Sequence, residues 1–236
     1  MVRHSISVIF PVYNEEATLE RGLSELIKFL DGCNLSTFEV VVIESGSTDS
    51  SAQIADGMAE RWPCIRVIHE GRRNGFGAAV RLGYRSARME WIWLVTPDLP
   101  FPLKSLETAL PLLEEYDAIL SYRLNASRRA LRRVQSFVFN SLVKLMFGLR
   151  VRCVNSAFKL IRRRLVQDID FQSRGWTIDT ELIWVLQARG ARIIEIPVEL
   201  IERSQGVSKI AFSTSIFVIR ELIQLRLGGR TGPGGL

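Results

Sequence analysis

The stretch EVVVIESGSTD (Glu39–Asp49) passes within a few residues from one kind of backbone to another. Glu39–Ile43 is a nearly continuous run of β-branched residues, the composition of a strand buried on both faces, as in a parallel sheet. A Gly-Ser turn follows. Ser47, Thr48 and Asp49 then offer N-caps for a helix through Glu60. The same alternation extends to either side. Strands are expected at Ser5–Phe10, Ile65–Ile68, Trp91–Val95 and Ala118–Ser121, and helices at about Glu15–Leu30, Gly75–Arg88 and Leu103–Glu115. Short connections between strands and helices imply a mostly parallel α/β sheet with helices on both faces. Ligands of such sheets bind at the carboxyl ends of the strands, where strand order reverses. That directs attention to Pro11–Glu15, Glu44–Asp49, Glu70–Gly77 and Thr96–Pro102.

The second half is less regular. Ser127–Phe147 reads as a basic amphipathic helix with Val134, Phe137, Val138, Leu142, Leu145 and Met146 on its apolar face. A strand at Ala157–Ile161, a helix at Ile178–Ala188, a strand at Ile193–Leu200 and an amphipathic segment at Ile210–Leu227 complete the pattern. No linker interrupts it, so residues 1–227 read as a single domain. The glycine-rich tail, residues 228–236, is expected to be disordered.

Composition narrows the function. With 47% hydrophobic and 24% charged residues, the 236-residue chain is neither disordered nor fibrous. No apolar run approaches the roughly 18 residues of a spanning helix, and the apolar stretch Ile6–Phe10 stops at Pro11, too short for a signal peptide. Cys33, Cys64 and Cys153 lie far apart without metal-ligand spacing and read as reduced thiols of a cytoplasmic protein. The formal charge of +6 is concentrated: Ser121–Arg164 carries twelve Lys/Arg and no Asp or Glu. Such a segment attracts phosphates. Nucleic acid is not the expected partner, because no base-reading module accompanies the charge.

The four strand-end loops carry the chemistry. Pro11, Tyr13 and Glu15 follow the first strand, and Glu44 and Ser45 the second. Asn74 and Gly77 open a helix with exposed backbone N–H groups suited to an anion. Thr96-Pro97-Asp98 closes the fourth strand with a carboxylate. Any one such loop is ordinary; four on one edge of one sheet form a site.

These loops resemble the family 2 glycosyltransferases of the GT-A (Rossmann-like) fold, and most closely the polyprenyl-phosphate sugar synthases. The resemblance rests on FPVYNE (Phe10–Glu15), ESGSTD (Glu44–Asp49), NGFGAAVRLG (Asn74–Gly83), TPDL (Thr96–Leu99), NSAFKLIRR (Asn155–Arg163), IDTELI (Ile178–Ile183) and RSQGVSK (Arg203–Lys209), running from Ile6 to about Lys209. It implies transfer of a hexose, with inversion, from a nucleoside-diphosphate sugar to a polyprenyl phosphate such as dolichyl or undecaprenyl phosphate. By the same resemblance Pro11, Tyr13, Glu15, Glu44, Ser45, Asn74 and Gly77 bind the donor. Asp98 holds Mg²⁺ or Mn²⁺ against its diphosphate. Arg123, Arg133, Ser136, Ser156, Arg203, Ser208 and Lys209 receive the acceptor phosphate, and Asp179 and Glu181 stand in the acceptor site beside the catalytic Asp98 and Arg123. For Asp179 and Glu181 an equal reading is negative charge placed at a helix N-terminus.

The pattern is incomplete. Thr96 stands where the family's metal motif has its first acid, Ser45 replaces an Asp, and Pro100 a frequent Gln. Two loops have thus lost charge, which opens a second reading: a catalytically impaired nucleotide-sugar-binding homologue acting as a partner subunit. The helices Ser127–Phe147 and Ile210–Leu227 either pack in the core or lie on an anionic leaflet. The resemblance implies a peripheral protein on the inner, cytoplasmic face of the cell membrane.

Overall fold

The computed structural model describes residues 3–124, 130–173, 175, 177–201 and 220–227, the side chains of 130–135 excepted. Seven strands form one sheet in the order β3-β2-β1-β4-β6-β5-β7. They are β1 (Ser5–Val12), β2 (Thr37–Glu44), β3 (Ile65–His69), β4 (Trp91–Leu94), β5 (Ala118–Arg123), β6 (Lys159–Arg162) and β7 (Ile193–Val198). The α-helices are α1 (Leu19–Asp31), α2 (Ser51–Arg61), α3 (Phe76–Ser86), α4 (Ser105–Ala109), α5 (Ala130–Phe147) and α6 (Ile178–Ala188), and residues 220–227 are also helical.

β1 pairs in parallel with β2 on one side and β4 on the other, and β3 extends β2 in parallel. β6 alone is reversed, antiparallel to both β4 and β5, and β7 again runs parallel to β5. Two antiparallel steps restore the direction. β5 and β7 therefore end at the same edge as β1–β4, while β6 begins there, at Lys159. The reversal of β6 was not foreseen from the sequence.

Helices cover both faces because each has one apolar stripe. Leu19, Leu23, Leu26, Ile27 and Leu30 of α1, with Ala55 and Met58 of α2 and Leu106 of α4, bury one face of the sheet. Val80 and Tyr84 of α3 and Ile178, Leu182 and Val185 of α6 bury the other. A third cluster joins Leu120 of β5 to Val143 and Phe147 of α5, Ile183 and Trp184 of α6, and Leu222 and Leu225. Trp91 and Trp93 lie in the core as the apolar patterns around them imply. The three cysteines are free thiols.

Several boundaries move for identifiable reasons. β1 continues through Pro11 to Val12. Ile9 C=O accepts from Val95 on the β4 side and Val12 C=O from Ser45 on the β2 side. Pro11 thus turns its missing N–H toward β4, beyond the Ile9–Leu94 pair where that ladder ends, and no sheet bond is lost. The expected helix Leu103–Glu115 is a short α4 followed by 3₁₀ turns at Leu110–Glu114, because Pro111 cannot continue the α-helical bonding. The predicted tail, residues 228–236, and residues 210–219 of the second amphipathic segment lie outside the described residues. Among the described residues, no helix is long and apolar enough to cross a membrane.

One glycine fixes how closely a helix approaches the site. A Cβ on Gly22 of α1 would run into the carbonyl oxygen of Pro97, a rigid backbone atom. Gly22→Ala is expected to lower the urea-unfolding free energy by roughly 1–3 kcal/mol, as overpacking does. An unchanged midpoint would mean that the loop yields freely.

Candidate active site at the carboxyl edge of the sheet

The loops after β1 and β2 are stitched together. Asn14, in the left-handed region at φ 52°, receives the Thr48 N–H on its Oδ1 at 2.8 Å, and its own N–H donates to Ser47 Oγ at 3.1 Å. Glu15 N–H donates to Ser51 Oγ at 2.9 Å and Glu16 N–H to Asp49 Oδ2 at 3.2 Å. Ser47 and Thr48 therefore bind the neighbouring loop, and Ser50 stands at the N-cap of α2. The Glu15 carboxylate accepts from Thr18 Oγ1 at 3.0 Å, ahead of α1. Asn14 was not singled out from the sequence.

The loop after β3 closes the same end. The Arg73 guanidinium stacks over Tyr13, 4.3 Å from the ring centroid. Ser45 donates its hydroxyl to Glu70 at 2.6 Å, and Asn74 donates to the other Glu70 oxygen at 3.2 Å. Gly46, at φ 66°, presses against the backbone of Arg72, leaving no space for a side chain. Gly77 is buried in the first turn of α3. A cavity of about 390 Å³ opens outside α3, lined by Glu70, Arg72, Asn74, Arg81 and Arg85 among others. Of the expected site residues only Asn74 reaches it, so it flanks the cleft and does not form it.

Glu44, the last residue of β2, is 3% exposed. Burial alone would raise its pKa, but the Ser47 N–H at 2.6 Å and the His69 ring at 3.1 Å outweigh that effect and hold the carboxyl below its ordinary value. The sequence reading passed over His69. The signal available was register, since His69 closes β3 directly beside Glu44.

Across the switch point between β1 and β4, Asp98 follows β4. The Thr96 hydroxyl donates to Asp98 Oδ1 at 2.6 Å, and Leu99 is held in the left-handed region at φ 42°. Arg123 ends β5. The strands that carry Glu44 and Asp98 are two apart in the sheet, as are those of Asp98 and Arg123. At the usual strand spacing each pair of strand ends lies about 10 Å apart along one edge. Glu44, Asp98 and Arg123 are therefore not scattered. The oxygen donors at Asp98, one carboxylate beside one hydroxyl, suit a hard divalent cation held largely by substrate phosphates.

The reversed β6 brings a further pair to this edge. Lys159, 4% exposed and paired with Leu94 and Leu120, places Nζ 3.1 Å from Asp179 Oδ2 and donates to the Ser156 carbonyl. Burial pushes the Asp179 carboxyl up from its ordinary value, with Lys159 opposing. Asp179 Oδ1 is buried without a hydrogen-bond partner. The sequence left Lys159 unassigned, because a buried lysine is visible only once its acid is placed.

Three expectations change here. Glu181 is fully buried, and its two oxygens accept the Gln172 and Ser173 N–H groups at 2.8 Å each, so it fastens a loop. Ser156, 2% exposed, donates to Phe158 C=O at 2.5 Å and accepts from Ser121 N–H at 2.6 Å, so its hydroxyl is used up in joining β5 to β6. The basic segment, read from the sequence as one that attracts phosphates, does not present its cations on a single surface. Arg162 and Arg164 sit at the opposite edge of the sheet, bound to Asp117 and, for Arg162, to Glu90. Ser136 is half-buried on α5, its carbonyl accepting from Asn140 at 2.8 Å. Arg203, Ser208, Lys209 and the side chain of Arg133 lie outside the described residues.

An open α/β sheet with polar loops gathered at its switch point defines a class that binds nucleotides and their derivatives at that edge. The family model for glycosyl transferase family 2 matches residues 7–170, and the chain belongs to that family. It is 30% identical over 203 residues to a glycosyltransferase, AglD, of Haloferax volcanii, covering 82% of this chain and 32% of that one. It is 28% identical to a dolichyl-phosphate beta-glucosyltransferase of Trichomonas vaginalis (95% of this chain, 71% of that one). It is 30% identical to an undecaprenyl-phosphate 4-deoxy-4-formamido-L-arabinose transferase of Shewanella sediminis (92% and 65%). The chain thus spans about a third of the first relative and roughly two thirds of the others. Among solved structures, glucosyl-3-phosphoglycerate synthase of Mycobacterium tuberculosis in complex with Mn²⁺, uridine diphosphate and glucosyl-3-phosphoglycerate superposes with a TM-score of 0.70 at 21% identity, over 95% of this chain and 80% of that one. The likeness establishes the shared GT-A fold.

The buried ion pair gives a test of the site's construction. Lys159→Met leaves the buried Asp179 carboxyl without its ion-pair partner, and is expected to cost about 3–5 kcal/mol in denaturant unfolding. Adding Asp179→Asn should restore much of that loss. Additive losses in the double variant would show that the two side chains do not interact.

Proposed function

We propose that this chain transfers a hexose from a nucleoside-diphosphate sugar to a polyprenyl phosphate, inverting the anomeric carbon. The observation that carries the reading is the placement of Glu44, Asp98 and Arg123 in that order along one strand edge, about 19 Å from first to last and spanning the switch point. The names of the relatives agree with it: two act on dolichyl or undecaprenyl phosphate.

Tyr13, stacked under Arg73, and the buried carboxylate of Glu44 form the end that takes the base and ribose, with Pro11, Glu15, Ser45 and Asn74 shaping it. Asp98, oriented by Thr96, would hold the divalent cation, and the complexes of the structural neighbour with Mn²⁺ and uridine diphosphate support that assignment. Bound there, Mg²⁺ or Mn²⁺ would offset the charge that develops on the departing diphosphate. Arg123 positions the acceptor phosphate. A phosphate monoester with a second pKa near 6 is largely dianionic at neutral pH. Its oxygen attacks the anomeric carbon as the bond to the diphosphate breaks and the electron pair leaves with the nucleotide. Such an attacker needs positioning more than a strong base. Asp179, paired with Lys159, stands on the acceptor side of the site.

A lipid acceptor requires contact with a membrane, and α5 offers the surface. Its residues Phe137, Val138, Leu142 and Leu145 are 73%, 57%, 40% and 85% exposed, while Val143 and Phe147 face inward. Ile223 and Leu227 are also exposed. Lys144 shares α5 with these apolar groups, and Arg220 and Arg226 share the 220–227 helix with Ile223 and Leu227, the pairing that seats a helix on an anionic leaflet. The protein is accordingly a peripheral one on the cytoplasmic side. The loss of an acid at Thr96, whose hydroxyl only supports Asp98, favours a second reading in which the chain binds donor without turnover as a partner subunit.

Two measurements separate these readings. With Mn²⁺, nucleotide-sugar panels and undecaprenyl or dolichyl phosphate, the chain should form lipid-linked sugar, and Asp98→Ala should reduce the rate by at least about a hundredfold. Donor binding without product on any acceptor would favour the partner-subunit reading. Replacing Phe137 and Leu145 together by Glu should abolish sedimentation with phosphatidylglycerol vesicles and leave the unfolding midpoint nearly unchanged. Undiminished vesicle binding would remove α5 from the membrane contact.

A further inference from the structure

His69 has a hydrogen-bonding problem that only one protonation state solves. Its Nδ1 lies 3.1 Å from Glu44 Oε2 and its Nε2 3.0 Å from Asp56 Oδ1. Both partners are carboxylates, which only accept when ionised. A neutral imidazole has one N–H and can satisfy one of them; the imidazolium has two and satisfies both. The three residues come from three elements, Glu44 from the end of β2, His69 from the end of β3 and Asp56 from α2. Their side chains grade from enclosed to open, 4% exposed at Glu44, 42% at His69 and 55% at Asp56.

The charged groups facing the ring are Glu44 and Asp56. On the loop that follows β3, Glu70 is turned to Ser45 and Asn74, and Arg72 to Asn74. At Glu44, the Ser47 N–H satisfies Oε1 and leaves Oε2 to His69. Losing the ring proton therefore has a directed effect. If the remaining proton stays on Nδ1, the ring turns a lone pair to Asp56. If it stays on Nε2, the enclosed Glu44 oxygen loses its donor.

We propose that protonated His69 is a positioning residue of the donor site, fixing the Glu44 carboxylate between β2 and α2, so that nucleotide-sugar binding weakens as His69 loses its proton. The inference rests on the reading of Glu44 as a donor-binding residue. The hydrogen bond to Glu44, opposed by burial and joined by Asp56, raises the imidazole above its ordinary pKa of 6.5. The sign follows: the bridge is complete below the ordinary imidazole value and is lost as pH rises through the raised folded value. Affinity is accordingly highest in mild acid.

The test uses the whole chain, UDP-glucose with Mg²⁺ as the probe, calorimetry between pH 6 and pH 9, and NMR titration of the imidazoles. The chain has two histidines, so His69→Gln assigns the His69 signal by subtraction. The expected result is a His69 midpoint above 6.5 and a Kd that rises by roughly tenfold across that midpoint, the size of one charge-assisted hydrogen bond. In His69→Gln, whose amide donates without titrating, Kd should be flat. Asp56→Asn should move the wild-type midpoint downward while retaining the pH dependence, and it serves as the readout if His69→Gln does not fold. A His69 midpoint at or below 6.5 overturns the bridge. A flat wild-type Kd, or an equal slope in His69→Gln, overturns its link to the donor. A high His69 midpoint with no UDP-glucose binding at any pH defeats the donor-site reading of Glu44, and the proposed link falls with it.

Discussion

The parallel pairing of β1 with both β2 and β4 is the constraint on which the rest of the molecule depends. It makes β1 the point from which the chain leaves in two directions, and it forces the loops after β1, β2 and β4 to open on one side. Nothing in those loops would converge otherwise. Pro11 is tolerated inside this central strand because the β4 ladder has already ended beside it. The same early end of β4 leaves room for Thr96-Pro97-Asp98 to turn over the edge, and Gly22 lets α1 pack directly beneath that turn.

The reversed β6 does for the second half of the sheet what β1 does for the first. Its first residue, Lys159, is delivered to the strand-end edge, where it meets Asp179 at the start of α6. A buried lysine is costly alone, and so is a buried aspartate; here each is the other's ion-pair partner. The three carboxylates at this edge then differ in character. Glu44 is enclosed and held anionic by hydrogen bonds, Asp98 is half-exposed beside a hydroxyl, and Asp179 is buried beside an ammonium.

Much of this was legible in the sequence. The apolar runs Glu39–Ile43 and Trp91–Val95 located the central strands, and α6 has the limits its periodicity implies, Ile178–Ala188. What the sequence could not supply was direction and register. A short strand such as Ala157–Ile161 has the same composition whichever way it points, so the reversal of β6 was invisible, and with it the removal of Arg162 and Arg164 to the far edge. Glu181 looked like Asp179 two residues away, but two helical steps of about 100° each separate a carboxylate beside Lys159 from one spent on backbone N–H groups. Ser156 was read as a phosphate ligand because a hydroxyl in a loop has no visible partner until β5 and β6 are paired. The apolar face of α5 was found, but its exposure was decided only when Val143 and Phe147 took the inward positions.

A crystal structure of the chain soaked with uridine diphosphate and Mn²⁺ examines the common edge most directly. The account predicts the base against Tyr13 and Glu44, and the diphosphate and cation at Asp98. Nucleotide seated in the arginine-lined cavity outside α3, with Asp98 more than a hydrogen-bond length from any phosphate or cation, would contradict it.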